Sequence, residues 1–411
     1  MGTRAAIDYS ILISLQSKAA CLLGRILRPR NGDRVPVGES EPARILVVKT
    51  DEIGDFVLAT PFLRELRRLH PKAGIVLVVN PVTYNLAELC PYVDEILVYR
   101  QGAARFLRPF VLPWRAFRMG HSVLRERNFD LALMPRWDMD GYYASYIAHF
   151  SGARRRIGFS ERANERKRMV NRGFEALFTD VLREGETRHE VERSLDVIRY
   201  LGGKPSSNAV EVWIGAGDEK AADGLLAGRS GKTLVALCPG AGAAWRRWPK
   251  ERFAELAKRL KRSRGASAVI VGGKEDRPAA TAIQDALGGE AVDAAGRTTL
   301  RQTAALLKRC RLFVGNDTGS MHLAAAMGVP VVEISCFPVN GPDWHWNSPL
   351  RFGPWGVPHR ILQPKGHSGA GRLTGAGVAA SIEEITVDRV ERAADELLRH
   401  RDDSRQGDLQ G

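Results

Sequence analysis

Cysteine is scarce in this sequence. Five thiols, Cys21, Cys90, Cys238, Cys310 and Cys336, are scattered along 411 residues, and none stands in a CxxC or Cys/His pairing. An odd, unpaired set argues against a disulfide framework and a zinc site and points to a reducing compartment. Long apolar runs are missing as well. Residues 9–27 come nearest, but Gln16, Ser17, Lys18 and Arg25 interrupt them and no small-residue cleavage site follows. Neither a membrane-spanning helix nor a cleaved signal peptide is expected. GxGxxG and GxxxxGK[ST] are both absent, which removes the main support for a dehydrogenase or a P-loop nucleotidase, and no GxSxG elbow marks a serine hydrolase. Aromatic residues make up 7% of the chain, and Trp114, Phe117 and Phe129 are a thin basis for a nucleic-acid surface.

What is abundant is positive charge. A net charge of +14 and a pI near 9.8 imply an acidic partner: nucleic acid, anionic lipid, a phosphorylated glycan or a nucleotide. With 44% hydrophobic residues the chain is globular, and its length suits two domains.

The stretch Leu312 to Ile334, LFVGNDTGSMHLAAAMGVPVVEI, organises the rest. An apolar run, a polar turn, a short helix and a second apolar run make a βαβ unit. Asp317 or Thr318 caps the helix, and Gly328 followed by Pro330 ends it. The turn sits where a strand ends and a helix begins, so free N–H groups and the helix dipole favour a phosphate. Capping alone explains many such turns, but Asp317, Thr318, Ser320 and His322 exceed what a cap needs. A ligand phosphate is expected here.

Taken in order, residues 1–42 read as a basic amphipathic N-terminal extension and linker, suited to an anionic membrane surface. A first α/β domain spans 43–203. It begins with the buried-strand pattern Ala43 to Val48, then a loop Lys49 to Asp55, an amphipathic helix Phe56 to His70, and strands at Ile75 to Val79, Glu95 to Tyr99 and Phe129 to Met134. Arg154 to Phe159 reads as a basic turn. A second domain, 204–398, repeats the plan from Thr233, and 399–411 is a polar tail expected to be disordered from Arg401. The fold class is α/β: two doubly wound, Rossmann-like domains with the carboxyl ends of both sets of strands at one cleft.

The loop after the first strand offers Asp51, Glu52 and Asp55, any of which suits proton abstraction from a sugar hydroxyl, while Asp55 also suits a helix cap. In the second half Pro239 to Ala244 is a small-residue loop that lets backbone approach a diphosphate, and Arg246 and Arg247 follow with fixed positive charge. Glu275, ending the next strand, is placed to hold ribose hydroxyls. Asp138-Met139-Asp140 resembles a metal-binding DxD, but the pattern is short and far from the nucleotide loops, so no metal site is assigned.

KTDEIGDFVLATP (Lys49 to Pro61), RRIGF (Arg155 to Phe159), HEVERSLDVIRYLG (His189 to Gly202), PGAGAAWRRWP (Pro239 to Pro249) and GNDTGSMHLAAAMGVP (Gly315 to Pro330) together resemble glycosyltransferase family 9, which contains the ADP-heptose:lipopolysaccharide heptosyltransferases. The resemblance covers about Ala43 to Leu398. It implies a GT-B architecture of two facing domains, inverting transfer from a nucleotide sugar, and neither metal nor cofactor. By the same resemblance Asp55 is the general base. Gly242, Ala243, Ala244, Arg246, Glu275, Asp317, Thr318, Gly319, Ser320 and His322 hold the donor, and Lys49, Arg136 and Arg155 are assigned to the acceptor. The implied partners are a nucleotide-sugar donor and a phosphorylated glycolipid acceptor, with no nucleic acid. The implied location is the cytoplasm, with peripheral contact on the inner membrane. Alanines at 243 and 244, where hydroxyl residues are frequent, arginine at 246 in place of lysine, and the unusual segment Cys336 to Gly356 leave open another donor for O-antigen or capsule. A non-catalytic nucleotide or nucleic-acid binder is the remaining alternative.

Overall fold

A computed structural model of the chain describes residues 41–102, 107–183, 185–229, 231–365 and 382–408. Residues 1–40 of the expected extension lie outside the described residues. The chain divides into two compact units, Met1–Asn208 and Ala209–Gly411.

The first unit holds six strands, β1 Arg44–Lys49, β2 Gly74–Val79, β3 Glu95–Val98, β4 Leu131–Met134, β5 Arg155–Phe159 and β6 Asp180–Leu182. The second holds β7 Leu234–Cys238, β8 Ser267–Ile270, β9 Val292–Asp293, β10 Leu312–Asn316, β11 Val331–Ile334 and β12 His359–Leu362. Every pairing is parallel. The orders are β3-β2-β1-β4-β5-β6 and β12-β11-β10-β7-β8-β9, so each unit repeats the same doubly wound plan. Central strands are covered on both faces, which is why β1 and β10 read as continuous apolar runs: Ile45, Leu46, Val47, Leu312, Phe313 and Val314 are all fully buried. In such a sheet the strand order reverses between the two central strands, opening a crevice at their carboxyl ends. That point falls between β1 and β4 in one unit and between β7 and β10 in the other.

Several elements differ from the sequence expectation. The helix expected from Phe56 to His70 is two helices, Ile53–Leu58 and Thr60–Leu69. Pro61 has no N–H to give to the carbonyl of Val57, and the hydroxyl of Thr60 donates to it instead at 2.7 Å. Arg154 to Phe159 is no turn, because Arg155–Phe159 is strand β5. Strands β6, β9 and β12 are too short to leave a pattern. The last helix, Val387–Asp408, takes in most of the stretch from Arg401 expected to be disordered. Its apolar residues Val390, Ala394, Leu397 and Leu398 pack with helix Lys250–Arg264 against Val314, Val332 and Ile334. No described helix is long and apolar enough to cross a membrane.

Candidate active site

In the first unit the crevice is lined by charge. Lys49, the last residue of β1, is buried, and its ammonium lies 2.6 Å from Asp51. Arg136 follows β4 and reaches Asp51 at 2.5 Å and Asp55 at 3.6 Å. Its guanidinium Nε also donates to the carbonyl of Met139 at 2.6 Å. The loop is held from both sides: Asn80 donates to the Asp51 carbonyl, and Gln101 to that of Thr50 at 2.7 Å.

The three loop carboxylates now separate. Burial pushes the Asp51 carboxyl up, but Arg136 and Lys49 outweigh it and hold Asp51 below its ordinary value. It is a fixed anion. Glu52 occupies the N-cap position of Ile53–Leu58 and accepts a hydrogen bond from the Tyr142 hydroxyl at 2.5 Å. Asp55 is not the cap; it lies in the first turn with its side chain 18% exposed. Burial is the main cause that raises it to about 6, with Asp51 and Glu190 adding and Arg136 and Lys49 opposing. A carboxyl with that value in a crevice is matched to proton transfer near neutral pH.

Of the residues assigned to the acceptor, Arg136 belongs to this group. Lys49 is spent on Asp51 and is covered. Arg155 lies at the opposite, amino end of its strand, where Nε and Nη2 both donate to Asp180, at 3.0 and 2.8 Å. The carboxyl of Asp140 caps helix Ala144–Phe150, accepting from the N–H groups of Ala144 and Ser145 at 3.0 and 2.8 Å. No group of metal-ligating side chains is found among the described residues. Lys167 gave no signal in the sequence: buried, it donates to the carbonyls of Trp137 at 3.1 Å and Arg136 at 3.3 Å, fixing the segment that carries Arg136. Burial lowers its pKa to about 8.

In the second unit the two central loops are joined by one side chain. Asn316, fully buried at the end of β10, accepts from the N–H of Trp248 at 3.0 Å and donates to the carbonyls of Pro239 and Gly240 at 2.9 and 3.1 Å. Asp276 packs under the same loop, accepting from Gly273 N at 2.8 Å; a Cβ on Gly240 would run into its carboxylate, so a larger residue there would have to displace that side chain. The two arginines divide their work. Arg247 turns back onto the Ala241 carbonyl at 3.0 Å, while Arg246 meets Asp317 through its carbonyl at 2.8 Å and its carboxylate at 2.5 Å.

Helix Gly319–Ala326 begins beside that pair. Thr318 holds the N-cap position without a side-chain capping bond of its own. Its hydroxyl lies 3.7 Å from the Cys238 sulfur. His322 is 4% exposed and its Nδ1 has no hydrogen-bond partner among the described residues. Burial lowers its pKa to about 4, with Asp317 opposing and Arg246 adding, so the ring is neutral. The structure therefore brings together Gly242, Ala243, Ala244, Arg246, Asp317, Thr318, Gly319, Ser320 and His322 at β7 and β10. Glu275 is exposed in the turn Lys274–Asp276 after β8, one strand further along. Asn316, Asp276 and Glu333 in β11 were not singled out from sequence. The only available signal was a carboxylate interrupting the apolar run of β11.

The sequence model of glycosyltransferase family 9 (heptosyltransferase) matches residues 117–343, more than half of the chain. Lipopolysaccharide heptosyltransferase 2 of Salmonella typhimurium is 27% identical over 305 residues, covering 71% of this chain and 82% of that protein. Among solved structures, a family 9 glycosyl transferase from Veillonella parvula superposes with a TM-score of 0.73 at 24% identity, covering 89% of this chain and all of that one. The E. coli ADP-heptose LPS heptosyltransferase II superposes with a TM-score of 0.64 at 24% identity, covering 87% of this chain and 99% of that one. Two parallel doubly wound sheets with this likeness are the GT-B fold.

Proposed function

The chain belongs to glycosyltransferase family 9, and on that premise we propose that it transfers a heptose from ADP-heptose to a lipopolysaccharide or related cell-envelope glycan by one inverting displacement. The Asp55 carboxylate takes the proton of an acceptor hydroxyl as that oxygen attacks the anomeric carbon. The bond from that carbon to the diphosphate oxygen breaks, and ADP leaves with the electron pair. Charge builds on the leaving diphosphate, where Arg246, the loop Gly242 to Ala244 and the N–H groups opening Gly319–Ala326 receive it. Arg246 and the helix dipole supply the positive charge, so transfer is expected to persist in a chelator.

The observation that carries this reading is Asp55, the carboxylate of the loop with a raised pKa and a partly open side chain. The test is release of ADP from ADP-heptose by the purified protein in the presence of heptose-deficient lipopolysaccharide, with Asp55→Ala as control. Ala243 and Ala244, which offer a phosphate no hydroxyl, favour a second reading: a family 9 transferase using another nucleotide sugar for O-antigen or capsule. Thermal stabilisation by ADP but not by GDP, UDP or dTDP decides between them.

The acceptor is read as a phosphorylated glycolipid on the cytoplasmic face of the inner membrane, met by the first unit. Helix Arg108–Arg118 supports this. Leu107, Phe110 and Trp114 form an exposed apolar line along it, and the exposed Arg108 and Arg118 flank that line. Apolar residues beside arginines suit the interface of an anionic bilayer.

A further inference from the structure

The donor side of the proposed site contains a carboxyl that the displacement does not use. Glu333 is the third residue of β11 and pairs in register with Gly315 of β10. Its neighbours Val332 and Ile334 point into the core formed with Lys250–Arg264 and Val387–Asp408. Strand alternation therefore turns Glu333 to the other face, together with Val331. It is 1% exposed, and its Oε2 has no partner among the described residues. Ser335 bonds the carboxyl, and Asp317 and Arg246 are its charged neighbours; the Cys336 thiol is also within electrostatic reach of it. His322, on the helix opening at Gly319, brings a second buried polar atom, Nδ1, without a partner among the described residues. A buried acid with an unused oxygen costs stability that an aliphatic residue in this strand would not.

The order of the strands says what would use it. Along the carboxyl edge, β8 leads to Glu275, β7 and β10 carry the loops with Arg246 and Gly319, and β11 carries Glu333. A nucleotide sugar with its ribose at Glu275 and its diphosphate at Arg246 has its sugar next in line, over β10 and β11. We propose that Glu333 is a specificity-determining residue of the donor site, its carboxyl hydrogen-bonding a hydroxyl of the transferred sugar. The inference rests on the donor placement proposed above. Burial, with the charge of Asp317 adding to it and Ser335 and Arg246 opposing, holds the carboxyl well above the usual range, which favours the protonated form, an O–H donor as well as an acceptor.

Calorimetric titration of the wild type, Glu333→Gln, Glu333→Ala and Glu333→Leu with ADP and with ADP-heptose tests this. ADP affinity is expected to stay within about twofold throughout. ADP-heptose affinity is expected to fall about tenfold or more in the alanine and leucine variants, and less in the glutamine variant, which keeps a donor and an acceptor. Glu333→Leu fills the site with apolar atoms and carries the test if the alanine variant does not fold. Equal losses for ADP and ADP-heptose would make Glu333 a support for Arg246 and overturn the assignment, as would no loss for either. If the wild type binds neither probe, the donor site itself is wrong and this inference falls with it.

Discussion

Asp55 and Arg136 face each other across 3.6 Å, and the pair is unequal because Arg136 lies closer to Asp51, at 2.5 Å. The nearer carboxylate absorbs most of the guanidinium charge. Burial, only partly offset by Arg136, then leaves Asp55 with enough proton affinity to act as a base, while remaining ionised at neutral pH.

Replacing Asp55 with alanine or asparagine is expected to lower kcat by about 10²- to 10⁴-fold, the ordinary contribution of a general base. In the wild type the rate should rise with pH through about 6, because the base acts only when deprotonated. Turnover near the wild-type level in both variants removes Asp55 from the mechanism.

The same carboxyl makes a stability prediction of opposite sense. Its folded pKa is raised, so between about pH 4 and 6 the unfolded chain loses the proton first and stability falls as pH rises through that window. Asp55→Asn removes this penalty and should stabilise the fold at pH 7 by on the order of 1–3 kcal/mol, seen as a higher Tm, with little change at pH 4. Thermal melts at the two pH values check it.

Much of this was readable in the chain, and what was not has physical causes. The turn Gly315 to Ser320 was legible because a strand-to-helix turn is encoded locally. Strand β5 was hidden by its two arginines. Arg156 is buried only because its guanidinium finds the carbonyls of Leu177 and Ala153 at 2.8 and 2.7 Å, partners supplied by other parts of the fold. Lys49 and Arg155 look alike in sequence as available cations. Only the sheet reveals that one is covered by its neighbour and the other stands at the far end of a strand.

Arg246→Ala should weaken binding of ADP about 10- to 100-fold, the scale of a charged hydrogen-bonding group lost from a diphosphate. Arg246→Lys should recover part of it, since lysine keeps the charge without the fork. Titration calorimetry with ADP measures both, and unchanged affinity in the alanine variant would move the diphosphate elsewhere.

Trp114→Ala combined with Phe110→Ala should reduce sedimentation of the protein with vesicles containing anionic lipid several-fold and leave the ADP affinity unchanged. Binding of the wild type should weaken as salt rises, because arginines contribute to it. Equal sedimentation of wild type and variant would mean this helix is not the contact.

Asn316 has a mechanical consequence. One amide ties the backbone of Pro239, Gly240 and Trp248 to the end of β10. The two loops that would embrace a diphosphate thus behave as a single stiff part, and neither can hinge without breaking buried hydrogen bonds. Adaptation to a ligand is left to the side chains they carry. In the proposed mechanism, a swing of Arg246 from Asp317 to an incoming phosphate would then be a rotamer change, not a loop movement. It would be fast on the timescale of turnover, and its cost would be confined to one ion pair.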